Sequence, residues 1–158
     1  MAAPAPTVRQ TPAGIKLKDG FPTKITIGLD PDISFWEKSV KPPGADGGDE
    51  IDQTTMHNVD VTTKAPQSLI DFTVCSGVAA YDPNILNQIL ATINMETTIT
   101  LTFSDGSTWS FYGYLKIFDP QELTRGVQPE ANFEIVVTNW DPTNKVEAVP
   151  AVASVSGT

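Results

Sequence analysis

The segment from residue 97 to residue 118 constrains the fold of this chain most strongly. Thr97 to Phe103 (TTITLTF) alternates polar and apolar residues strictly, which is typical of a β-strand with one buried face. Ser104-Asp105-Gly106-Ser107 predicts a hairpin turn, because glycine accepts the positive φ that such turns require. The return strand runs from Thr108 to Phe118. One of its faces carries Trp109, Phe111, Gly113, Leu115 and Ile117, and the other carries Ser110, Tyr112, Tyr114, Lys116 and Phe118.

Several further segments have the composition of strands, for a total of about seven. The turn residues Asp30-Pro31-Asp32 separate the first two. The predicted strands are Lys24 to Leu29, Asp32 to Val40 with Ile33, Phe35 and Glu37 on one face, Met56 to Thr63, Leu69 to Val78, and Ala131 to Asn139 with Phe133, Ile135 and Val137 inward.

One amphipathic helix is predicted over about residues 82–94. Asp82 is a good N-cap, and Pro83 suits the first helical position because its missing N–H needs no partner there. Asn94 is a reasonable residue just past the C-terminus. The apolar stripe is Ile85, Leu86, Ile89, Leu90 and Ile93, and Asn84, Asn87, Gln88 and Thr92 face the other way.

These elements predict a mainly β fold. A single helix cannot cover two sheets, so we expect a β-sandwich or partly closed barrel with the helix at one end or flank. One domain is expected for 158 residues. Its ordered part is predicted at 21–143, between a flexible N-terminal arm at 1–20 and a flexible C-terminal tail at 144–158, because neither end has a core-forming period.

The charge and the cysteine count exclude several classes of protein. A net charge of −9 argues against nucleic-acid binding and against docking on anionic membranes. Cys75 is the only cysteine, so no intrachain disulfide is possible, and its apolar surroundings predict an inert, partly buried thiol. Residues 1–14 lack the apolar core of a signal peptide, and no apolar run approaches a membrane span. We therefore expect a soluble protein made in a cytoplasm.

The sequence contains no catalytic or metal-binding signature. His57 is the only histidine, and no nucleophile motif accompanies it, Cys75 or any serine. One histidine and one cysteine are too few for zinc, and the acidic residues match no calcium-loop spacing. We expect no enzyme, cofactor or metal. A sugar-stacking platform drawn from Trp36, Trp109, Trp140, Tyr112 and Tyr114 stays open as an alternative, and it would need Trp109, or Tyr112 and Tyr114, to be exposed.

The stretch from residue 41 to residue 54 is long, polar and acidic. Fixing fourteen backbones costs on the order of 14 kcal/mol, whereas burial of Ile51 returns about 2 to 3 kcal/mol. The loop is therefore expected to stay mobile unless a partner orders it. The residues we expect at a subunit or ring interface are Lys41, Asp46, Asp49, Glu50 and Asp52.

Several motifs together resemble the major tail tube proteins of long-tailed bacteriophages. Their order and spacing carry the resemblance, which covers about two-thirds of the chain. The motifs are Val40-Lys41-Pro42-Pro43-Gly44-Ala45-Asp46-Gly47-Gly48-Asp49, Thr55-Met56-His57-Asn58, Ala80-Tyr81-Asp82-Pro83, Phe103-Ser104-Asp105-Gly106-Ser107, Phe111-Tyr112-Gly113-Tyr114-Leu115 and Thr138-Asn139.

The resemblance implies a structural virion protein. Six subunits of such a protein form a ring whose inner sheets join into one β-barrel, and the rings stack into a tube. The implied partners are other copies of the chain and the tape measure, tail terminator and distal tail proteins, while DNA passes through the lumen without specific binding. The implied location is the virion tail, after assembly in the host cytoplasm. The inner-tube protein of a contractile injection or type VI secretion system is the alternative, and a carbohydrate-binding β-sandwich module is an alternative of another class.

Overall fold

Strands dominate the fold. The computed structural model describes residues 23–28, 33–34 and 36–153, so the predicted N-terminal arm and the turn at 30–32 lie outside it. The mainly β prediction with one short helix is confirmed. The elements are β1 Lys24–Ile27, β2 Ile33–Ser34, β3 Glu37–Lys41, β4 Ala45–Asp46, β5 Ile51–Asp52, β6 Lys64–Ala65, β7 Asp71–Phe72, β8 Cys75–Ala80, a 3₁₀ turn Pro83–Ile85, α1 Leu86–Thr92, β9 Thr97–Thr102, β10 Thr108–Pro120, β11 Glu130–Val137, β12 Trp140–Asp141, β13 Val146–Glu147 and β14 Ala151–Ala153.

One large antiparallel sheet contains most of these strands, in the order β2-β1-β9-β10-β11-β8-β3. Its two edge strands, β2 and β3, are neighbours in sequence, so Ser34 and Glu37 lie at most about 11 Å apart. The sheet must therefore curl until its edges approach each other. Across this seam the Ile25 N–H donates a hydrogen bond of 2.7 Å to Oε1 of Glu37. Within the described residues β2 and β3 share no ladder, so the sheet is a curled layer and not a closed barrel.

The concave side of the curled sheet holds a single hydrophobic core. Phe133 and Ile135 of β11 are buried in it as predicted, and Val137 lies at its border. Cys75 is buried too, and this burial raises the pKa of its thiol to about 12, as expected for an inert group. The buried cluster comprises Ile25, Ile27, Cys75, Ala79, Ile89, Ile99, Leu101, Phe111, Leu115, Phe133, Ile135 and Val137.

The cap predicted at Asp82 is present, but it starts the 3₁₀ turn Pro83–Ile85, and the α-helix itself begins at Leu86. The Asp82 carboxylate accepts a hydrogen bond of 3.0 Å from the Asn84 N–H, and Asn94 past the C-terminus has the expected positive φ of 65°. Ile89 is fully buried against the sheet. Thr92 was expected to face solvent, and this prediction is wrong. It is buried, and its hydroxyl donates a hydrogen bond to the Gln88 carbonyl, so the buried polar group has a partner. Among the described residues, no helix has the length and apolar character needed to cross a bilayer.

A β-bulge in β10 reverses one predicted face assignment. Leu115 pairs with Ile135, and Ile117 pairs with Glu134, so Lys116 is an extra residue in the ladder. An extra residue moves every following side chain to the opposite face. Ile117, predicted to share a face with Leu115, is therefore exposed, and Phe118 packs against the core instead.

Gly77 lets two strands approach closely. A Cβ at this position would lie 2.1 Å from the Ser39 carbonyl oxygen and 2.9 Å from Cζ of Phe133. The Phe133 ring therefore covers a residue without a side chain, directly opposite it in the β8–β11 ladder. This close approach fixes where β3, the strand that leads into residues 42–74, meets β8.

The C-terminal segment contains strands where we predicted a flexible tail from residue 144. The carboxylate of Asp141 accepts hydrogen bonds from the N–H groups of Thr143 and Asn144, and this turn folds β13 back onto β12. β11 pairs with β10 only from Gly113 onward, so the earlier residues of β10 have no partner strand on that side. β14 pairs there with residues 108–110 of β10. Composition alone did not reveal this, because the pairing partner is remote in sequence.

Candidate assembly interface

A long hairpin arm projects from the β3–β8 edge of the sheet. We define the arm as residues 42–74 and the body as the other described residues. In the arm β4 pairs with β7, and further out β5 pairs with β6. The acidic loop at 41–54 is thus half of a hairpin whose other half is residues 64–74. The strand predicted at 56–63 is wrong, since no strand lies between β5 and β6. The strand predicted at 69–78 is confirmed in part, because it is divided into β7 and β8 by residues 73–74.

The root of the arm is closed by hydrogen bonds between its two sides, and it packs on the body. The Thr73 N–H donates to the Gly44 carbonyl at 2.8 Å, and the Gly44 N–H donates to the Thr73 hydroxyl at 2.7 Å. Pro43 is buried, and Phe72 packs against the core. The arm therefore leaves the body in a defined direction.

The acidic residues in the middle of the arm mainly organise its own backbone. Asp46 accepts a hydrogen bond of 2.9 Å from the N–H of Gly48, whose φ is 79°. The Gln67 amide crosses from the other side of the hairpin and donates to the Asp49 carbonyl at 3.0 Å. Residues 41–54 are therefore one side of a hairpin and not an isolated loop, and part of their order comes from contacts with residues 64–74 of the same chain.

One ion pair joins the two sides of the arm. Lys64 Nζ lies 2.8 Å from Oε1 of Glu50, and this contact lowers the pKa of the Glu50 carboxyl below its ordinary value. Both side chains are more than half exposed, so the pair adds little to stability. The pKa of Asp52 is lowered as well, chiefly by the hydrogen bonds that Thr54 donates to it.

The tip of the arm is organised by Asn58. Its amide Nδ2 donates to the Val61 carbonyl at 2.8 Å and to the Thr63 hydroxyl at 2.7 Å, while Oδ1 accepts from the Thr55 N–H at 2.9 Å. Sequence reasoning missed this role. The local signal was the cluster of threonines with asparagine at 54–63, which is typical of side-chain-to-backbone turns. His57 lies in the same tip and is exposed.

Large apolar side chains on the arm are exposed. Met56 is 100% exposed, Val59 91% and Leu69 78%. We call the exposed residues Ile51, Met56, Val59, Val61, Leu69 and Ile70 the apolar set of the arm. Six such residues on one projecting element are typical of a surface that another molecule covers, whereas isolated exposed apolar residues are ordinary.

The structure places four of the five predicted interface residues on the first side of the arm. Asp46, Asp49, Glu50 and Asp52 follow one another along it and are exposed, and Lys41 lies at the end of β3 just before the root. They form a row and not a cluster. Within the described residues, no group of three or more metal-ligating side chains lies close enough together to hold a metal ion.

The aromatic residues considered for sugar stacking do not lie on a common face. Trp109 is partly buried against the core and meets Phe111 edge to face, with ring centroids 6.1 Å apart. Tyr112 and Tyr114 lie on the opposite, outer face of β10 and are half-buried. Trp109 therefore offers no fully exposed stacking surface, whereas Tyr112 and Tyr114 share the outer face and are half-buried there.

The comparisons with known proteins find a similarity at the level of the fold. No protein-family model and no curated protein sequence matches the chain. Among solved structures, the chain is similar to a subunit in the cryo-EM structure of the anti-feeding prophage baseplate, which was six-fold symmetrised. The TM-score is 0.60 at 6% sequence identity, and the match covers 85% of this chain and 92% of the other. The chain therefore shares the fold of a subunit of that baseplate over nearly its whole length.

Proposed function

We propose that this chain is a structural subunit of a phage-tail-type tube, which forms hexameric rings that stack around a lumen for DNA. The observation that carries the proposal is the exposed arm on a fold shared with a subunit of a six-fold symmetrised baseplate. The sequence motifs that resemble tail tube proteins support the same assignment independently.

The physical argument for assembly starts from the arm. Burying a large apolar side chain is worth about 1.5 to 3 kcal/mol, and the six members of the apolar set obtain little of this in the isolated subunit. A neighbouring subunit that covered them would supply it. Joining the sheet edges of neighbours would also remove exposed edge strands, which otherwise promote aggregation.

The charge of the chain suits a DNA conduit. With a net charge of −9, a ring of such subunits repels DNA phosphates, so DNA slides through without specific binding. In this role the chain has no catalytic function and needs no cofactor. Its further partners are the tape measure, tail terminator and distal tail proteins, and its location is the virion tail.

A second candidate is the ring-forming inner-tube or tube-initiating protein of a contractile injection system. The observation that favours it is the origin of the structural neighbour, which belongs to a baseplate. The two candidates differ in their outer surface, because a contractile tube must bind a sheath. Co-expression with a sheath protein would show decorated tubes for the second candidate and bare tubes for the first.

Negative-stain electron microscopy of the purified protein tests assembly directly. We expect six-fold rings or hollow tubes at high protein concentration. Particles that remain monomeric at every concentration, with or without tail-tip proteins as initiators, would contradict the proposal. A shift in tryptophan fluorescence on addition of an oligosaccharide would instead favour the carbohydrate-binding alternative.

A matched variant ties assembly to the arm. Replacing residues 47–70 by Asn-Gly joins the paired residues Asp46 and Asp71 through a two-residue hairpin turn and keeps β4 and β7. We expect a folded subunit that forms no tubes. The control replaces residues 122–128 in the loop after β10 by a short glycine-serine linker, which shortens another projecting loop but leaves the arm intact.

A further inference from the structure

The apolar set of the arm needs an occupant, and the charge distribution of the chain identifies one. The arm contains six acidic residues against one lysine, a net charge of −5 of the −9 for the whole chain. That lysine, Lys64, is already paired with Glu50. The other five arm carboxylates make no ion pair within the described residues. They belong to Asp46, Asp49, Asp52, Asp60 and Asp71.

A ligand for this surface must therefore combine apolar side chains with positive charge. Residues 23–41 contain three lysines and three acidic residues, so their net charge is zero. Residues 75–158 contain three basic and nine acidic residues, so their net charge is negative. Only residues 1–22 have a net positive charge, because Arg9, Lys16 and Lys18 outnumber Asp19. The same segment alternates apolar and basic residues in Ile15-Lys16-Leu17-Lys18, which is the pattern of a strand with one apolar and one basic face.

We propose that the arm of one subunit binds residues 1–22 of a neighbouring copy of the chain. Ile15 and Leu17 of the neighbour pack on members of the apolar set in the tip, such as Met56, and Lys16 and Lys18 lie beside unpaired carboxylates of the arm. This proposal rests on the self-assembly proposed above and names the segment that completes the interface. Pairing of an extended segment with a hairpin edge is a common mode of recognition.

Reach favours a neighbouring copy over the chain's own N-terminus. Five successive antiparallel ladders separate β1 from β3, so these two strands run in opposite directions. Because Thr23 precedes β1 and the arm root follows β3, both lie at the same end of the sheet. Leu17 precedes Thr23 by six residues and can extend at most about 22 Å from it. Ile51 lies ten residues and Met56 fifteen residues beyond Lys41 along the arm, so the tip is the part of the apolar set that the chain's own Leu17 reaches least.

Cysteine cross-linking tests this pairing, because the natural Cys75 is buried and unreactive. Leu17→Cys and Met56→Cys are made in separate proteins, mixed, assembled and oxidised. We expect a disulfide-linked dimer of the two variants on a non-reducing gel. The matched control pairs Leu17→Cys with Leu123→Cys, an exposed leucine in the loop after β10, and should give at least tenfold less dimer.

The double variant Leu17→Cys/Met56→Cys separates the two possible arrangements. Docking on a neighbour predicts a ladder of covalent multimers, whereas docking within one chain predicts a monomer of altered mobility. The monomeric product alone, or a mixed-variant dimer no stronger than in the control, would overturn the proposal.

Charge reversal gives an independent readout. Lys16→Glu/Lys18→Glu should raise the critical concentration for assembly about tenfold, since two exposed charge contacts are lost. Asp49→Lys/Asp52→Lys in the same protein should restore assembly at least in part. Lys116→Glu/Lys145→Glu makes the same change in net charge on the body and should have a much smaller effect.

The outcomes also distinguish this proposal from the proposed function. Tubes without the specific cross-link would refute the pairing and leave the function intact. Cross-linking is therefore also measured on unassembled protein at high concentration. A protein that forms neither rings nor intermolecular cross-links would refute both.

Discussion

The body and the arm are built from similar sequence patterns but are stabilised in different ways. In the body, alternating strands place side chains such as Phe133 and Leu101 in a core from which water is excluded. In the arm, comparable apolar residues such as Leu69 and Met56 remain in water, and order comes from backbone ladders and from turns made by Asp46 and Asn58. A folded body with an apolar arm is what a subunit requires if assembly is to complete its packing.

The largest expected difference between the two regions is in the response to truncation of an apolar side chain. Phe133→Ala should lower the free energy of unfolding by about 3 to 5 kcal/mol, because it leaves a cavity in the core. Met56→Ala should change it by less than about 0.5 kcal/mol, because Met56 is fully exposed. Denaturant titration followed by tryptophan fluorescence measures both. Equal effects would show that the arm is packed against the body in solution.

A second contrast uses glycine. Gly77→Ala should destabilise the protein by about 2 to 3 kcal/mol, since the new methyl group would overlap the Ser39 carbonyl oxygen and the Phe133 ring. Gly47→Ala in the arm has nothing within 4 Å of its added Cβ and should be neutral or slightly stabilising. Thermal unfolding measures the melting temperatures of both variants. Equal melting temperatures would contradict this description of the β3–β8 junction.

The sequence predicts the features of the body that depend on local contacts and misses those that depend on remote ones. The hairpin at 97–118 and the helix cap at Asp82 are local features, and their bounds were predicted within a few residues. The bulge at Lys116 and the pairing of β14 with β10 depend on partners remote in sequence. For that reason neither could be read from the alternation of residues.

The arm was predicted only in part for the same physical reason. Its acidic half was recognised as a loop that a partner could order, but residues 69–78 were predicted as one strand because Ile70, Phe72 and Val74 alternate with polar residues. Alternation reports that one face is apolar, and it does not report what covers that face. Here Phe72 packs against the core, while Ile70 is exposed.

A smaller effect is expected at the seam of the curled sheet. Burial raises the pKa of Glu37 above its ordinary 4.5, although the hydrogen bond from Ile25 acts in the opposite direction. The folded state therefore holds this proton more tightly than the unfolded state, and stability falls as the pH rises from 4.5 through the raised value. Glu37→Gln, which keeps the acceptor oxygen, should remove this slope.

Glu37→Ala distinguishes the acceptor from the charge. It leaves the Ile25 N–H at the seam without its partner and should cost about 1 to 2 kcal/mol at any pH. Unfolding midpoints of the wild type and of both variants between pH 4 and pH 8 check these expectations. A wild type and a Glu37→Gln variant with parallel pH profiles would contradict the assigned role.

The smallest effect is expected in the arm itself. Since Lys64 lowers the pKa of Glu50, the contact contributes fully above the ordinary value of 4.5 and is lost as the pH falls through the lower folded value. Amide NMR signals of residues 50–65 should therefore shift when the pH is lowered. The midpoint of global unfolding should change with pH no more in the wild type than in Lys64→Met. An acid shift of the same size in Lys64→Met would show that Lys64 is not the partner.

Hydrogen exchange of the arm in isolated subunits and in assembled tubes tests the central claim most directly. The backbone bonds of the short arm ladders are exposed to solvent in the subunit, so residues 51–65 should exchange quickly there. We predict that assembly slows their exchange at least tenfold and leaves the core strands β10 and β11 unchanged. Equal exchange of the arm in both states would contradict the claim that another subunit covers it.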